Sequence, residues 1–254
     1  MSSGPALGRE DIYKELGLWP IWRMRSTPVS NTKTKVVPEI QADDQSKPAI
    51  ETAKLETTLS WDALREAVNT CTRCKLYKTR TQGVFGVGDQ QADWLIVGEA
   101  PGADEDAQGE PFVGQAGRLL DAMLAAIGLR RGDNVYIANV LKSRPPGNRN
   151  PEPDEVAACM PYLLQQIELL QPKIILAMGR FAAQNLLASK DAIASLRGRV
   201  HHFHGVPLIV TYHPAYLLRT LPDKAKAWED LCLARQTYAA LQTDAPIQSH
   251  IISA

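Results

Sequence analysis

Three polar side chains stand where apolar runs stop, and their types suggest chemistry. Trp94-Leu95-Ile96-Val97 breaks at Gly98-Glu99-Ala100-Pro101-Gly102, Val135–Ala138 ends in Asn139, and Val206–Thr211 leads through Tyr212 to His213. A carboxylate can activate water or offset a developing positive charge. A carboxamide presents a donor beside an acceptor, and an imidazole can donate to a forming anion. Just after the first of these stops lie the acids Glu99, Asp104, Glu105 and Asp106, and further on the aromatic Phe112. A glycine-bearing turn between strand and helix often cradles phosphate. No Gly-Lys-Ser/Thr follows this one, however, and its acids would repel a polyphosphate unless metal intervened.

The second candidate chemistry is metal ligation. Cys71-Thr72-Arg73-Cys74 places two thiols within reach of one metal, and Cys159 can add a third from distant sequence. Cys232, flanked by Leu231 and Leu233, reads as a buried structural thiol. His201, His202 and His204 surround a turn and read as solvated or structural.

These residues need elements to position them. The run 94–97, the run 135–141 and Ile174–Met178 are short, continuous apolar stretches of the kind found in buried parallel strands. Helical spacing is visible over 58–70 and in Leu119, Leu120, Met123, Leu124 and Ile127, closed by Gly128. It recurs from Asp154 through Leu170, with a kink expected at Pro161, over Phe181–Ala188, and over about Lys224–Leu241. Arg199–Phe203 and Val206–Thr211 flank His204-Gly205 as in a hairpin. Strands alternating with helices give an α/β protein whose mainly parallel sheet carries helices on both faces. In such sheets ligands sit beyond the carboxyl ends of the strands, where Glu99, Asn139 and His213 fall.

The chain has 254 residues and no formal net charge, so nucleic-acid binding must come from a local basic face. Residues 1–57 read as an N-terminal extension, with a candidate docking peptide at 11–25 and a flexible linker after it. The peptide carries Trp19 and Trp22, and its Leu-Gly-Leu…Trp…Arg pattern resembles the N-terminal peptide of the bacterial clamp-loader psi subunit. Residues 58–242 read as the catalytic domain and 243–254 as a tail. No apolar run reaches membrane-span length and no signal-peptide pattern opens the chain, so a cytoplasmic monomer is expected.

Three motifs, GEAPGADED…G-x-PFVG…AG, N-V-L-K-S-R-P-P-x-N-R and H-P-A-Y-L-L-R, occur in an order that resembles the bacterial family-4 uracil-DNA glycosylases of the iron–sulfur type. The likeness covers about Leu59–Leu241. It implies a three-layer αβα sandwich and an enzyme that flips uracil out of single- or double-stranded DNA and hydrolyses its N-glycosidic bond. Asn139 would pair with O4 and N3–H of the base, Phe112 would stack on it, and His213 would donate to O2. A donor of that kind is typically worth ~3 kcal/mol.

Ala100 stands where better-known glycosylases of the wider superfamily carry an aspartate, which leaves Glu99 and Glu105 as candidates for handling water, with Asn148 positioning it. The resemblance also has Glu105 crowding the C5 side of the base. Tyr216, Leu217 and Leu218 would form the wedge that fills the gap in the duplex, with Arg219 on a phosphate. Lys142, Arg144 and Arg149, with Lys75, Arg197 and Arg199, would make a basic rim.

Similar enzymes hold a [4Fe–4S] cluster on four cysteines. Here the set is Cys71, Cys74, Cys159 and, in place of the expected fourth cysteine, Ser143. A weaker serine-ligated site, a three-cysteine cluster, an outside ligand and no cluster are all open. Two other functions remain in view: a metal-dependent nuclease or phosphohydrolase using Asp104, Glu105 and Asp106, and a weakened DNA-binding protein of the same fold.

Overall fold

The computed structural model describes residues 59–243, so the candidate docking peptide at 11–25, the linker and the tail beyond Thr243 lie outside the described residues. Chain order begins with α1 (Trp61–Asn69), β1 (Val87–Gly88) and β2 (Trp94–Gly98), then α2 (Ala103–Gln108), α3 (Gln115–Ala126) and β3 (Val135–Asn139). It continues with α4 (Pro153–Leu170), β4 (Ile174–Met178), α5 (Arg180–Leu186) and α6 (Ile193–Leu196). The hairpin β5 (Val200–Phe203) and β6 (Val206–Thr211), the short α7 (Pro214–Leu217) and α8 (Lys224–Thr243) complete it.

The sheet runs β1-β3-β2-β4-β6-β5 in space. Its four inner strands are parallel and only the two edge strands run against their neighbours. Successive side chains on a strand face opposite sides, so each inner strand splits its apolar residues between two layers. Leu95, Val97, Tyr136, Ala138, Ile175, Ala177, Leu208 and Val210 pack with Met160, Leu163 and Ile167 of α4 and with Ala182, Ala183 and Leu186 of α5. Trp94, Ile96, Val135, Ile137, Ile174, Leu176 and Ile209 face the opposite layer, meeting Leu120, Met123 and Leu124 of α3 and Ala227, Leu231 and Ala234 of α8. This is the α/β sandwich expected from the alternation of runs.

Two local details differ from the sequence reading. The acids 104–106 sit not in a loop but on the short helix α2, whose Gly102 N-cap is closed by Glu105 and which Gly109 ends at a left-handed φ of 80°. Carboxylates in a first turn offset the helix dipole, which favours helix over loop there. Helix α4 runs unbroken across Pro161, anchored at its start by Pro153 and a Glu152–Glu155 capping box. Parallel pairing then brings the carboxyl ends of β2, β3, β4 and β6 to one edge, with Gly98 opposite Asn139 and Met178 opposite Thr211.

Candidate active site

A cavity of about 670 Å³ opens at that edge, and Glu99, Ala100, Glu105, Phe112, Asn139, Asn148, Arg149, His213, Tyr216 and Arg219 all line it. The size suits a small organic ligand. Asn139 is only 2% exposed. Its Oδ1 is buried without a hydrogen-bond partner, so an acceptor is held ready beside the cavity. Such a group is costly to leave unmade and is repaid only when a donor arrives. Gly98 explains how the amide comes so close: a Cβ there would meet Asn139 Oδ1 at 2.3 Å and the Phe112 ring at 2.7 Å. Phe112 adopts a φ of 56°, uncommon for an aromatic residue. Arg131 holds it there, donating to the Pro111 carbonyl at 2.9 Å and to the Phe112 carbonyl at 2.8 Å.

The Phe112 and His213 rings stack with centroids 5.4 Å apart and planes 27° from parallel. The Ala215 N–H donates to His213 Nδ1 at 3.1 Å. That bond needs a lone pair on Nδ1, so the neutral ring carries its proton on Nε2. Burial, with help from the Arg219 charge and against that of Glu105, pushes the imidazole pKa down to about 4. His213 is therefore a neutral Nε2–H donor at physiological pH. Amide, aromatic face and imidazole thus converge as the motifs imply.

The carboxylates divide their roles. Glu99 is half-buried in the cavity wall, and burial raises its pKa to about 7 against the opposing charge of Arg180. Glu105 also lines the cavity, but its oxygens accept from the backbone N–H groups of Gly102 (3.0 Å), Val113 (3.0 Å) and Gly114 (3.1 Å). It shapes the loop that carries Phe112. Asp106 is buried and accepts from the Thr81 amide (2.9 and 3.0 Å) and hydroxyl (2.7 Å). Two of the three acids named for a metal-dependent nuclease are thus already spoken for by protein donors. Asn148 lines the cavity with its Oδ1 accepting from Arg144 Nε at 2.7 Å, which leaves its amide N–H groups to face a ligand.

The expected DNA-contacting set needs correction. Lys142 belongs to the interior: it is 1% exposed, with Nζ donating to the Asn139 carbonyl at 2.8 Å and to Gln166 Oε1 at 2.6 Å. Burial lowers its pKa to about 7. It braces the strand end that carries Asn139 and cannot reach a phosphate. Leu217 is likewise no wedge, being 1% exposed and packed in the layer with α3 and α8. Arg149 is tied to Glu155 at 2.5 and 2.9 Å, Arg197 to Asp230 and Glu229, and Lys75 to Glu152, so these charges are largely offset. Arg144, Arg199 and Arg219 carry no carboxylate partner among the described residues, and Leu218 is half-buried near the cavity mouth. Leu221, at 60%, is an exposed apolar side chain just beyond Arg219. Its turn is tied back to the cavity by the Tyr216 hydroxyl, which donates to Asp223 at 2.5 Å.

Sequence reasoning also missed Arg180 and Phe181, which line the cavity at the end of β4 with the guanidinium 4.9 Å from the ring centroid. Gly179, where a Cβ would come 2.8 Å from His213 Cβ, was the available signal.

The thiols lie behind the wall at Ala100. Leu76, Leu141 and Cys159 are buried together there, with Cys74, Ala100 and Val156 packed against them. Cys74 and Cys159 share a hydrogen bond that lowers the Cys74 pKa to about 6 and raises that of Cys159. The Cys71 side chain meets Tyr162 instead. Ser143 Oγ accepts from Arg80 Nη1 at 2.8 Å. With the Ser143 hydroxyl held by a guanidinium, and no group of three or more Cys, His, Asp or Glu side chains placed to hold a metal among the described residues, the residues do not fit a four-ligand iron–sulfur site. Cys232 is half-buried on α8.

Residues 85–232 match the model of the uracil DNA glycosylase superfamily. Over 165 residues the chain is 50% identical to a type-4 uracil-DNA glycosylase of Archaeoglobus fulgidus, covering 62% of this chain and 82% of that protein. A type-4 uracil-DNA glycosylase of Thermotoga maritima is 45% identical over 65% of this chain and 86% of its own. One from Pyrobaculum aerophilum is 42% identical over 67% and 90%.

Proposed function

The chain belongs to the type-4 uracil-DNA glycosylases, and from that premise we propose how its cavity performs the hydrolysis of the N-glycosidic bond. The enzyme acts on uracil in DNA. The target nucleotide leaves the stack, at a cost of a few kcal/mol, and its base slides against Phe112. Asn139 Oδ1 accepts from N3–H and its amide N–H donates to O4. Cytosine offers an acceptor at N3 and a donor at C4, so it would leave both groups of the buried amide mismatched.

As the bond from C1′ to N1 breaks, its electron pair moves onto the pyrimidine. His213, kept neutral by its low pKa, donates Nε2–H to O2 and stabilises that anion. The sugar gains positive charge, which the Glu99 carboxylate offsets. Glu99 then takes a proton from the water that attacks C1′, and Asn148 orients that water. Uracil and an abasic site result. A raised pKa near 7 makes Glu99 a better base than an ordinary glutamate while leaving it largely ionised above neutrality.

The observation that carries this reading is the orphaned Asn139 acceptor beside Phe112, facing a histidine whose single free N–H is on Nε2. Arg219, Arg144 and Arg180 supply phosphate contacts, and Leu218 and Leu221 fill the space left by the flipped base. We also propose that residues 11–25 recruit a replication or repair protein, on the strength of their two tryptophans, and that the enzyme works as a cytoplasmic monomer. Among the described residues no helix is long and apolar enough to cross a membrane.

The test is a uracil-containing oligonucleotide, single- and double-stranded, scored for alkali-labile abasic sites with and without EDTA. Abasic sites formed equally in both are expected. Intact DNA in every lane refutes the reading, and EDTA-sensitive strand cleavage without alkali would transfer it to the nuclease alternative.

A further inference from the structure

A guanidinium occupies the corner where the family's pattern calls for a fourth thiolate. We infer that in this chain Arg80 closes that corner, so that the Cys71–Arg80 segment docks on the sheet without an iron–sulfur cluster. The inference rests on the family reading only for the expectation that a cluster is there to be replaced.

Three observations support it. Arg80 Nη1 donates to Ser143 Oγ at 2.8 Å, while Nη2 donates to the carbonyls of Asn69 at 2.6 Å and Cys71 at 3.1 Å. One rigid, planar cation thereby joins the Asn69–Cys71 stretch to the loop after β3, two of the segments that a cluster would otherwise hold together. Next, Ser143 is only 4% exposed, and its hydroxyl would have to lose a proton and leave Arg80 to become a hard alkoxide ligand, poorly matched to iron that prefers soft thiolates. Finally, among the described residues no three Cys, His, Asp or Glu side chains are grouped so as to hold a metal ion. Leu76 and Leu141 complete an apolar packing around Cys159 that extends to Ala100 in the cavity wall. The strap therefore supports the site from behind.

The full-length protein, purified anaerobically from iron-replete cells, decides the matter through iron and acid-labile sulfide content, absorbance near 400 nm and amide hydrogen exchange. Substoichiometric iron is expected, with uracil release unchanged after chelation. In Arg80→Ala, exchange should rise about tenfold or more over both 69–82 and 141–146, because the hydrogen-bonded link between them is gone and only the Leu76–Leu141 packing remains. Arg80→Lys, which keeps the charge but lacks the planar fork, should show a smaller rise in the same two segments and serves if the alanine variant fails to fold. Ser143→Cys should gain iron and the associated absorbance. A full four-iron complement in the unaltered protein overturns the inference. So does unchanged exchange in the Arg80 variants, or a Ser143→Cys protein that stays iron-free. The iron, sulfide, absorbance and exchange readouts do not depend on glycosylase activity, so failure there is distinct from failure of the functional reading.

Discussion

Base release should depend on pH through Glu99, and the structure sets both the sign and the size. Burial in the cavity wall raises its pKa to about 7, while burial lowers that of His213 to about 4. The reaction needs Glu99 ionised and His213 neutral. At pH 8 both conditions hold; at pH 5 the histidine is still ~90% neutral but only ~1% of Glu99 is ionised. The single-turnover rate should therefore climb ~100-fold between pH 5 and pH 8, with its midpoint near 7 and a plateau above. Glu99→Gln should cost ~10²–10⁴ in rate at pH 8 and abolish the dependence. Arg180 opposes the rise in the Glu99 pKa, so Arg180→Gln should move the midpoint to higher pH.

The same group leaves a mark on stability. An unfolded chain ionises Glu99 near 4.5, but the folded protein resists until about 7, so ionising it in the cavity destabilises the fold. That cost is absent below 4.5 and complete above 7. Glu99→Gln should thus melt higher than the unaltered enzyme at pH 8, with the gap closing toward pH 5. Rapid-quench kinetics on single-stranded uracil DNA, paired with calorimetry at the two pH values, checks both. A rate flat from pH 5 to 8, or a Glu99→Gln variant that keeps the original profile, would refute the assignment.

Other outcomes follow from particular contacts. Gly98→Ala would drive a methyl group to 2.3 Å from Asn139 Oδ1 and 2.7 Å from Phe112, so uracil release should fall at least ~100-fold with the far-UV circular dichroism spectrum preserved. Leu221→Ala should lower the double- to single-strand activity ratio about tenfold, because only the duplex requires unstacking. Leu217→Ala should instead cost ~2–5 kcal/mol of stability in urea melts and leave that ratio alone, as befits a core residue. In binding titrations across salt concentrations, Arg219→Ala should reduce the salt slope by about one ion. Lys142→Met should leave that slope unchanged, because Lys142 is buried against Asn139 and Gln166.

What could be read in the residues was the part governed by periodicity and motif. Continuous apolar runs marked the parallel strands, and the polar residues that ended them marked the edge where Asn139, Phe112 and His213 meet. Side-chain destination was not legible. Lys142 sits in a basic motif and reads as a surface cation, yet only the fold shows that the chain after β3 turns it inward to a carbonyl and an amide. Leu217 and Leu221 are equally apolar in sequence, yet α7 buries the first at its end while the second opens the separate turn Leu221–Asp223 and stays outside. Glu99 and Glu105 differ in how many backbone amides reach them, a property of the folded loop. Arg131 carried no signal because its partners at 111, 112 and 121 are distant in sequence, and for Arg180 the only mark was the Gly179 that ends the preceding strand.

The four parallel strands that frame the cavity also impose a timetable. Glu99, Asn139, Arg180 and His213 are delivered by separate strands, and the last of these leaves the ribosome long after the first. A nascent chain, or a fragment clipped before β6, carries the amide and the carboxylate but no group to receive the departing charge. Such a chain lacks the donor set against the leaving base, so full activity waits until β6 pairs beside β4.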